Sequence, residues 1–202
     1  TPDKDEIREN QAESNGHRWG KQIFFMGIAI LGIGLFWMQK DHYKAYQQWN
    51  KAQMFYNNKA YEAALEVYEP LYPLLKHKPE FLFEAAQSLS KTGQYEKANE
   101  YLERAVLLSS DPMLYYVMAK NEQCLGEYRQ AEKHLLHAID ILPERIYPYY
   151  LLMNLYTEPS YFQPAKLKMA IDSVLTKKPK VESSAIKEMK EKARSMLNNT
   201  SI

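Results

Sequence analysis

Between Ile23 and Met38 every position is apolar or glycine (IFFMGIAILGIGLFWM). On either side the chain returns to mixed sequence, and C-terminal to this run apolar positions recur every three or four residues. The second pattern predicts amphipathic helices; the first predicts a helix with no polar stripe. A helix from Gln22 to Gln39 would be about 27 Å long, close to the ~30 Å hydrocarbon core of a bilayer. Trp19 and Trp37 sit near its ends and Lys21 and Lys40 bracket it, as interfacial aromatics and snorkelling lysines do. Residues 1–21 are therefore read as a polar juxtamembrane segment and 22–39 as a transmembrane helix whose partner is the lipid bilayer. A cleaved signal peptide fits less well. The preceding stretch is long and contains acids, and QKDHYKAY offers no small-x-small cleavage site.

Behind the apolar run the amphipathic pattern repeats. Gly93-Gln94-Tyr95-Glu96-Lys97-Ala98 matches Gly126-Glu127-Tyr128-Arg129-Gln130-Ala131, and Lys59-Ala60-Tyr61-Glu62-Ala63-Ala64 is an earlier copy. A period of about 34 residues means stacked helix pairs. Each turn is flanked by helical spacing: Leu82, Ala85, Ala86 and Leu89 before the second, Ala98, Leu102 and Ala105 after it. Alanines at such positions allow helix axes to approach closely, and prolines at 79, 112, 143 and 179 recur where one pair ends and the next begins. The expected solenoid covers 41–178, with repeats at 45–78, 79–111, 112–144 and 145–178. In the last, Glu158-Pro159-Ser160-Tyr161 replaces the glycine turn. Residues 179–202 are expected to form a capping helix, N-capped by Ser183 or Ser184, and a frayed tail from Asn198.

These residues resemble the tetratricopeptide repeat: small residues at helix crossings, Gly-x-Tyr at the turn, proline at the exit. The resemblance implies an all-α right-handed solenoid whose inner helices line a concave groove. Carried onto this sequence, the groove positions are Tyr46, Trp49, Gln53, Tyr56 and Asn57, then Phe83, Gln87, Ser90 and Lys91. The third repeat supplies Met113, Tyr116, Lys120 and Gln123, and the fourth Tyr149, Met153 and Tyr156. That set is aromatic and amide-rich. It departs from the Lys/Asn clamp by which some such repeats hold a C-terminal carboxylate, and it favours a protein or peptide partner. For any one of these tyrosines, packing between helices is an equal alternative.

Composition narrows the classes. A formal charge of +1, with acids and bases interleaved, argues against nucleic-acid binding. The single cysteine, Cys124, cannot form an internal disulfide and reads as a small half-buried side chain. His134 and His137 form an H-x-x-H without a third ligand, so they read as helix-surface residues rather than a metal site. Glu62, Glu66 and Glu69 are spaced as a solvated face. With no phosphate loop, nucleophile elbow or acidic metal motif, the expectation is a non-enzymatic chain with no catalytic residues, cofactor or metal.

The stretches Pro143–Leu152 (PERIYPYYLL) and Pro179–Lys190 (PKVESSAIKEMK), together with one membrane segment ahead of the repeats, resemble the C-terminal region of O-antigen ligase or polymerase-like membrane proteins of Bacteroidetes. The resemblance implies an accessory interaction module in cell-surface polysaccharide assembly, lacking the multi-span catalytic core. It also implies a bacterial inner membrane location with the repeats on the cytoplasmic side. Lysines and arginines are evenly divided around the span, so the sequence itself assigns neither side. A free-standing membrane-anchored adaptor is the alternative. The chain opens on Thr1 rather than Met, as a processed product or part of a longer polypeptide does.

Overall fold

The computed structural model describes residues 4–179 and 181–199; side chains are described over the same residues except 4–23, 35–38 and 199. Trp19, Lys21 and Trp37, read as interfacial anchors, fall outside the described side chains. Every regular element among the described residues is helical. Helix α1 runs from Lys4 to Asn57 without interruption, continuous through the bounds read at 22, 39 and 45. No glycine or proline lies between Gln39 and Asn57 to break it.

The chain divides into two compact units, Thr1–Gln47 and Gln48–Ile202. In the first, α1 presents its apolar side chains outward, with Phe24, Ile30 and Leu31 each about two thirds exposed (65, 66 and 68%). Among the described residues it is the one helix long and apolar enough to cross a membrane.

The second unit is a run of helix pairs. The C-terminal end of α1 pairs with α2 (Tyr61–Leu75), α3 (Pro79–Lys91) with α4 (Tyr95–Val106), α5 (Pro112–Leu125) with α6 (Tyr128–Ile141), and α7 (Ile146–Leu155) with α8 (Pro164–Thr176); α9 (Ser184–Asn199) follows. Call the first helix of each pair A and the second B. Local chemistry sets the boundaries. Pro79, Pro112 and Pro164 occupy first helical turns, where a missing N–H is no loss, and the Asp111 carboxylate accepts from the Met113 N–H at 2.9 Å. Gly93 and Gly126 turn the chain at φ of 82° and 78°. At the equivalent position of the first repeat stands Lys59, at φ 60°. A non-glycine residue in that region costs roughly 1 kcal/mol. Ser183 Oγ accepts from Ile186 N–H at 3.3 Å and caps α9. Asn198 and Asn199, expected to fray, belong to its last turn; the residues after them lie outside the described set.

Alanine sets the spacing between helices. Ala86, Ala98, Ala105, Ala119, Ala131 and Ala138 are all fully buried, and leucines 82, 89, 102 and 135 fill the spaces around them. Successive A helices approach one another directly, α3 to α5, α5 to α7 and α7 to α9, while successive B helices do not come together to that extent. The stack therefore curves with its A helices inside. Helix α2 carries two interior prolines, Pro70 and Pro73, whose missing amides interrupt its hydrogen-bond ladder.

Candidate functional site

The inner face is built from A-helix side chains that sequence register alone would leave free, and several of them are already engaged. Trp49 Nε1 donates to Glu84 Oε2 at 2.6 Å, and Gln53 Nε2 donates to Glu84 Oε1 at 2.8 Å. Tyr68 Oη of α2 adds a third hydrogen bond to Glu84 at 3.0 Å, and the Tyr56 hydroxyl donates to Gln87 Oε1. Trp49 and Tyr68 both meet the fully buried Phe81 edge-on, at 5.7 and 5.5 Å between ring centroids. Burial and the neighbouring Glu84 charge push the Tyr68 phenol well above its ordinary value, so it stays a donor throughout the physiological range. Three donors around one half-buried carboxylate tie the first A helix to the second. Glu84 was not singled out by the sequence reading. Part of the signal was available: two of its three donors precede it by 35 and 31 residues, about one repeat period.

The other register positions separate by burial. Asn57, Lys91, Met113 and Lys120 are exposed, and Phe83, Gln87, Ser90, Gln123 and Tyr149 are half-buried. Tyr46, 38% exposed, belongs to the N-terminal unit. Three expectations need correction. Tyr116 (5% exposed), Met153 (0%) and Tyr156 (4%) are packed inside the core: α7 is apolar around most of its circumference and is covered by α6, α8 and α9, and Tyr116 of α5 packs against it. Tyr116 meets Tyr147 edge-on at 5.1 Å, and Tyr156 donates to Glu132 at 2.6 Å. Of the register positions, Asn57, Lys91, Met113 and Lys120 stay accessible beside half-buried Phe83, Gln123 and Tyr149, the last donating its hydroxyl to Pro143 O at 3.1 Å. The buried Gln123 Nε2 amide has no protein acceptor.

A second carboxylate, Glu132 of α6, joins the third repeat to the fourth. It accepts from Tyr156 Oη at 2.6 Å, Tyr161 Oη at 2.7 Å and Lys166 Nζ at 2.7 Å. Burial alone would raise its pKa; the three hydrogen bonds and the Lys166 charge outweigh that and hold it below the ordinary value. Burial and the bond to Glu132 together push the Tyr161 phenol up to about 12. His134, read as a surface residue, is half-buried with Nδ1 2.9 Å from buried Glu122. Cys124, read as half-buried, is exposed on the last turn of α5, and a hydrogen bond between its thiol and the Tyr95 hydroxyl raises that phenol's pKa. Among the described residues no three His, Cys, Asp or Glu side chains converge as metal ligands would.

With this geometry in view, the comparisons agree on architecture. A family model described as anaphase-promoting complex, cyclosome, subunit 3 matches residues 57–138. A crystal structure of MamA protein superposes with TM-score 0.61 at 17% identity, covering 76% of this chain and 88% of that one. MamA 41-end from Desulfovibrio magneticus RS-1 gives 0.60 at 19% identity, over 79% and 98%. A Podosopora anserina putative kinesin light chain with nearly identical TPR-like repeats gives 0.57 at 17% identity, over 78% and 89%. No curated protein matches the sequence. The fold of the second unit is a tetratricopeptide-type helical solenoid.

Proposed function

We propose that this chain is a membrane-anchored interaction module that takes a protein or peptide partner on the inner face of its solenoid. The observation that carries the reading is the set of A-helix register positions that stay accessible: Asn57, Lys91, Met113 and Lys120 are exposed, and Phe83, Gln123 and Tyr149 are half-buried. Half-buried aromatics beside mobile polar side chains are what binding surfaces concentrate. The anchor is the exposed apolar stretch of α1. Trp49, Gln53 and Tyr56 support the face through Glu84 and Gln87 rather than meeting the partner first.

The finer placement, an accessory part of a polysaccharide ligase or polymerase at a bacterial inner membrane, is supported by the sequence resemblance of Pro143–Leu152 and Pro179–Lys190 alone. A reading frame encoding further spans in frame ahead of Thr1 would favour it, and an initiation codon directly before Thr1 would favour a free-standing adaptor. The interaction reading is tested by enrichment from native membranes with wild type, Phe83→Ala/Lys120→Ala and Glu62→Lys/Glu66→Lys proteins. Loss of a bound species in the inner-face variant, with unchanged melting, supports it. Loss only in the outer-face variant contradicts it.

A further inference from the structure

The two edges of the solenoid differ in character. At one edge lie the A-to-B turns, with Gly93 and Gly126. At the other, B helices end and A helices begin. Side chains confirm that these latter segments are neighbours: Arg104 Nε donates to Lys76 O at 2.9 Å, Lys190 Nζ donates to Lys177 O at 3.0 Å, and Lys177 Nζ lies 3.9 Å from Glu144. Among the described residues of the second unit ten large hydrophobics are exposed, and Leu74, Leu107, Leu108, Met113, Leu142 and Val181 gather at this helix-start edge. The remaining four, Met54, Leu136, Phe162 and Met169, are scattered over the other faces. Leu107 is 84% and Val181 76% exposed, so neither contributes much to folding. A cleft of about 680 Å³ between Leu142–Tyr147 and Pro179–Met189 extends the apolar surface under Val181. Apolar side chains placed repeatedly at one edge mark a contact surface.

We propose that this helix-start edge rests on a lipid bilayer, with Leu107, Leu108 and Val181 entering the headgroup region. The position of chain entry argues for a bilayer over other occupants. The unit begins at Gln48, at the N-terminal end of its first A helix, which is this same edge. Gln48 follows Met38, the last apolar residue of the run, by only ten positions. Even fully extended they reach about 35 Å. If the apolar segment spans a membrane, the entry end of this edge at Gln48 is held within that distance of the surface, so membrane contact along the edge becomes an intramolecular event. Charge has a small part in it: Lys76, Lys78, Arg104, Arg145, Lys177, Lys178 and Lys180 exceed Glu80, Asp111, Asp140, Glu144 and Glu182 by two. Apolar insertion therefore carries the contact.

This inference rests on the anchor reading, and the test separates the two. The full chain, carrying Cys124→Ser, is labelled with an environment-sensitive fluorophore at Leu107→Cys, or at Gln94→Cys on the opposite edge. It is reconstituted into phosphatidylcholine vesicles with and without phosphatidylglycerol, containing nitroxide-labelled lipid. Flotation reports the anchor and quenching reports the edge. The expected result is co-flotation, with the label at 107 losing about half its intensity and the label at 94 little, alike in both lipid compositions. Co-flotation with equal, weak quenching at both positions overturns the edge contact while leaving the anchor. Failure to float overturns both. A shielded but unquenched label at 107 that becomes exposed at one chain per nanodisc assigns the edge to a second copy of the chain, and also overturns the proposal.

Discussion

The second and third repeats and the fourth solve one problem in different ways. In the former, a glycine at positive φ and a pair of alanines fix the angle and separation of two helices, and all of that information lies within a few residues of the turn. The fourth repeat has no such glycine. Pro159–Tyr161 forms a short 3-10 turn, and its geometry is held from outside the repeat: the Tyr161 ring stacks on Tyr128 at 5.7 Å and its hydroxyl reaches Glu132 on α6. Where local sequence stops specifying a turn, a long-range polar staple takes over. The stability of that end then depends on one carboxylate.

Removing the staple should have the largest effect. Glu132→Ala leaves the buried Tyr156 hydroxyl and the Tyr161 turn without their acceptor, and is expected to cost about 2–4 kcal/mol, read as a lowered denaturation midpoint. If the loss is confined to the fourth repeat, hydrogen exchange will accelerate in α7 to α9 before α3 and α4. Overpacking a regular repeat by Ala98→Leu should cost roughly 1–3 kcal/mol, because Ala98 is fully buried where α4 meets its neighbours. An unchanged midpoint would show that alanine does not set the spacing there.

A pH series sharpens the contrast. Glu132 has a folded pKa below its ordinary value, so its contribution is fully present above the unfolded-state pKa and is lost as pH falls through the folded one. Wild type and Glu132→Gln should therefore differ in melting temperature at neutral pH and converge in acid. Ala98→Leu, which changes no titrating group, should keep a constant offset from wild type. The smallest effect is expected at the first repeat, where Lys59→Gly relieves positive-φ strain and, after the greater freedom that glycine brings to the unfolded chain, should stabilise by about 0.5 kcal/mol.

The same contrast explains what the sequence could reveal. Helical period, Gly-x-Tyr turns, recurrent alanines and prolines are local signals, and they led to an all-helical repeat architecture of the kind the structure has. Side-chain availability is not local. Tyr116, Met153 and Tyr156 occupy inner-face register positions, yet the neighbouring helices bury them. Glu84 and Glu132 look like ordinary helix-surface acids until residues one period away are brought to them. A register argument names positions on a helix; only the stacking decides which of them water can reach. Cys124 shows the reverse case, a small residue that reads as half-buried and lies exposed on the last turn of α5, just before the chain turns at Gly126.

The central claim, that a partner lies along the inner A-helix face, is tested most directly by site-specific photocrosslinking in native membranes. A photoreactive residue replaces Phe83 or Lys120 on the inner face, or Glu62 on the outer one. The account expects the same partner species to crosslink from both inner positions and from neither the outer position nor an inner-face probe carrying Glu84→Ala, which removes the acceptor that aligns the first two A helices. Crosslinking to one species from Glu62 alone, with nothing from Phe83 or Lys120, would contradict it.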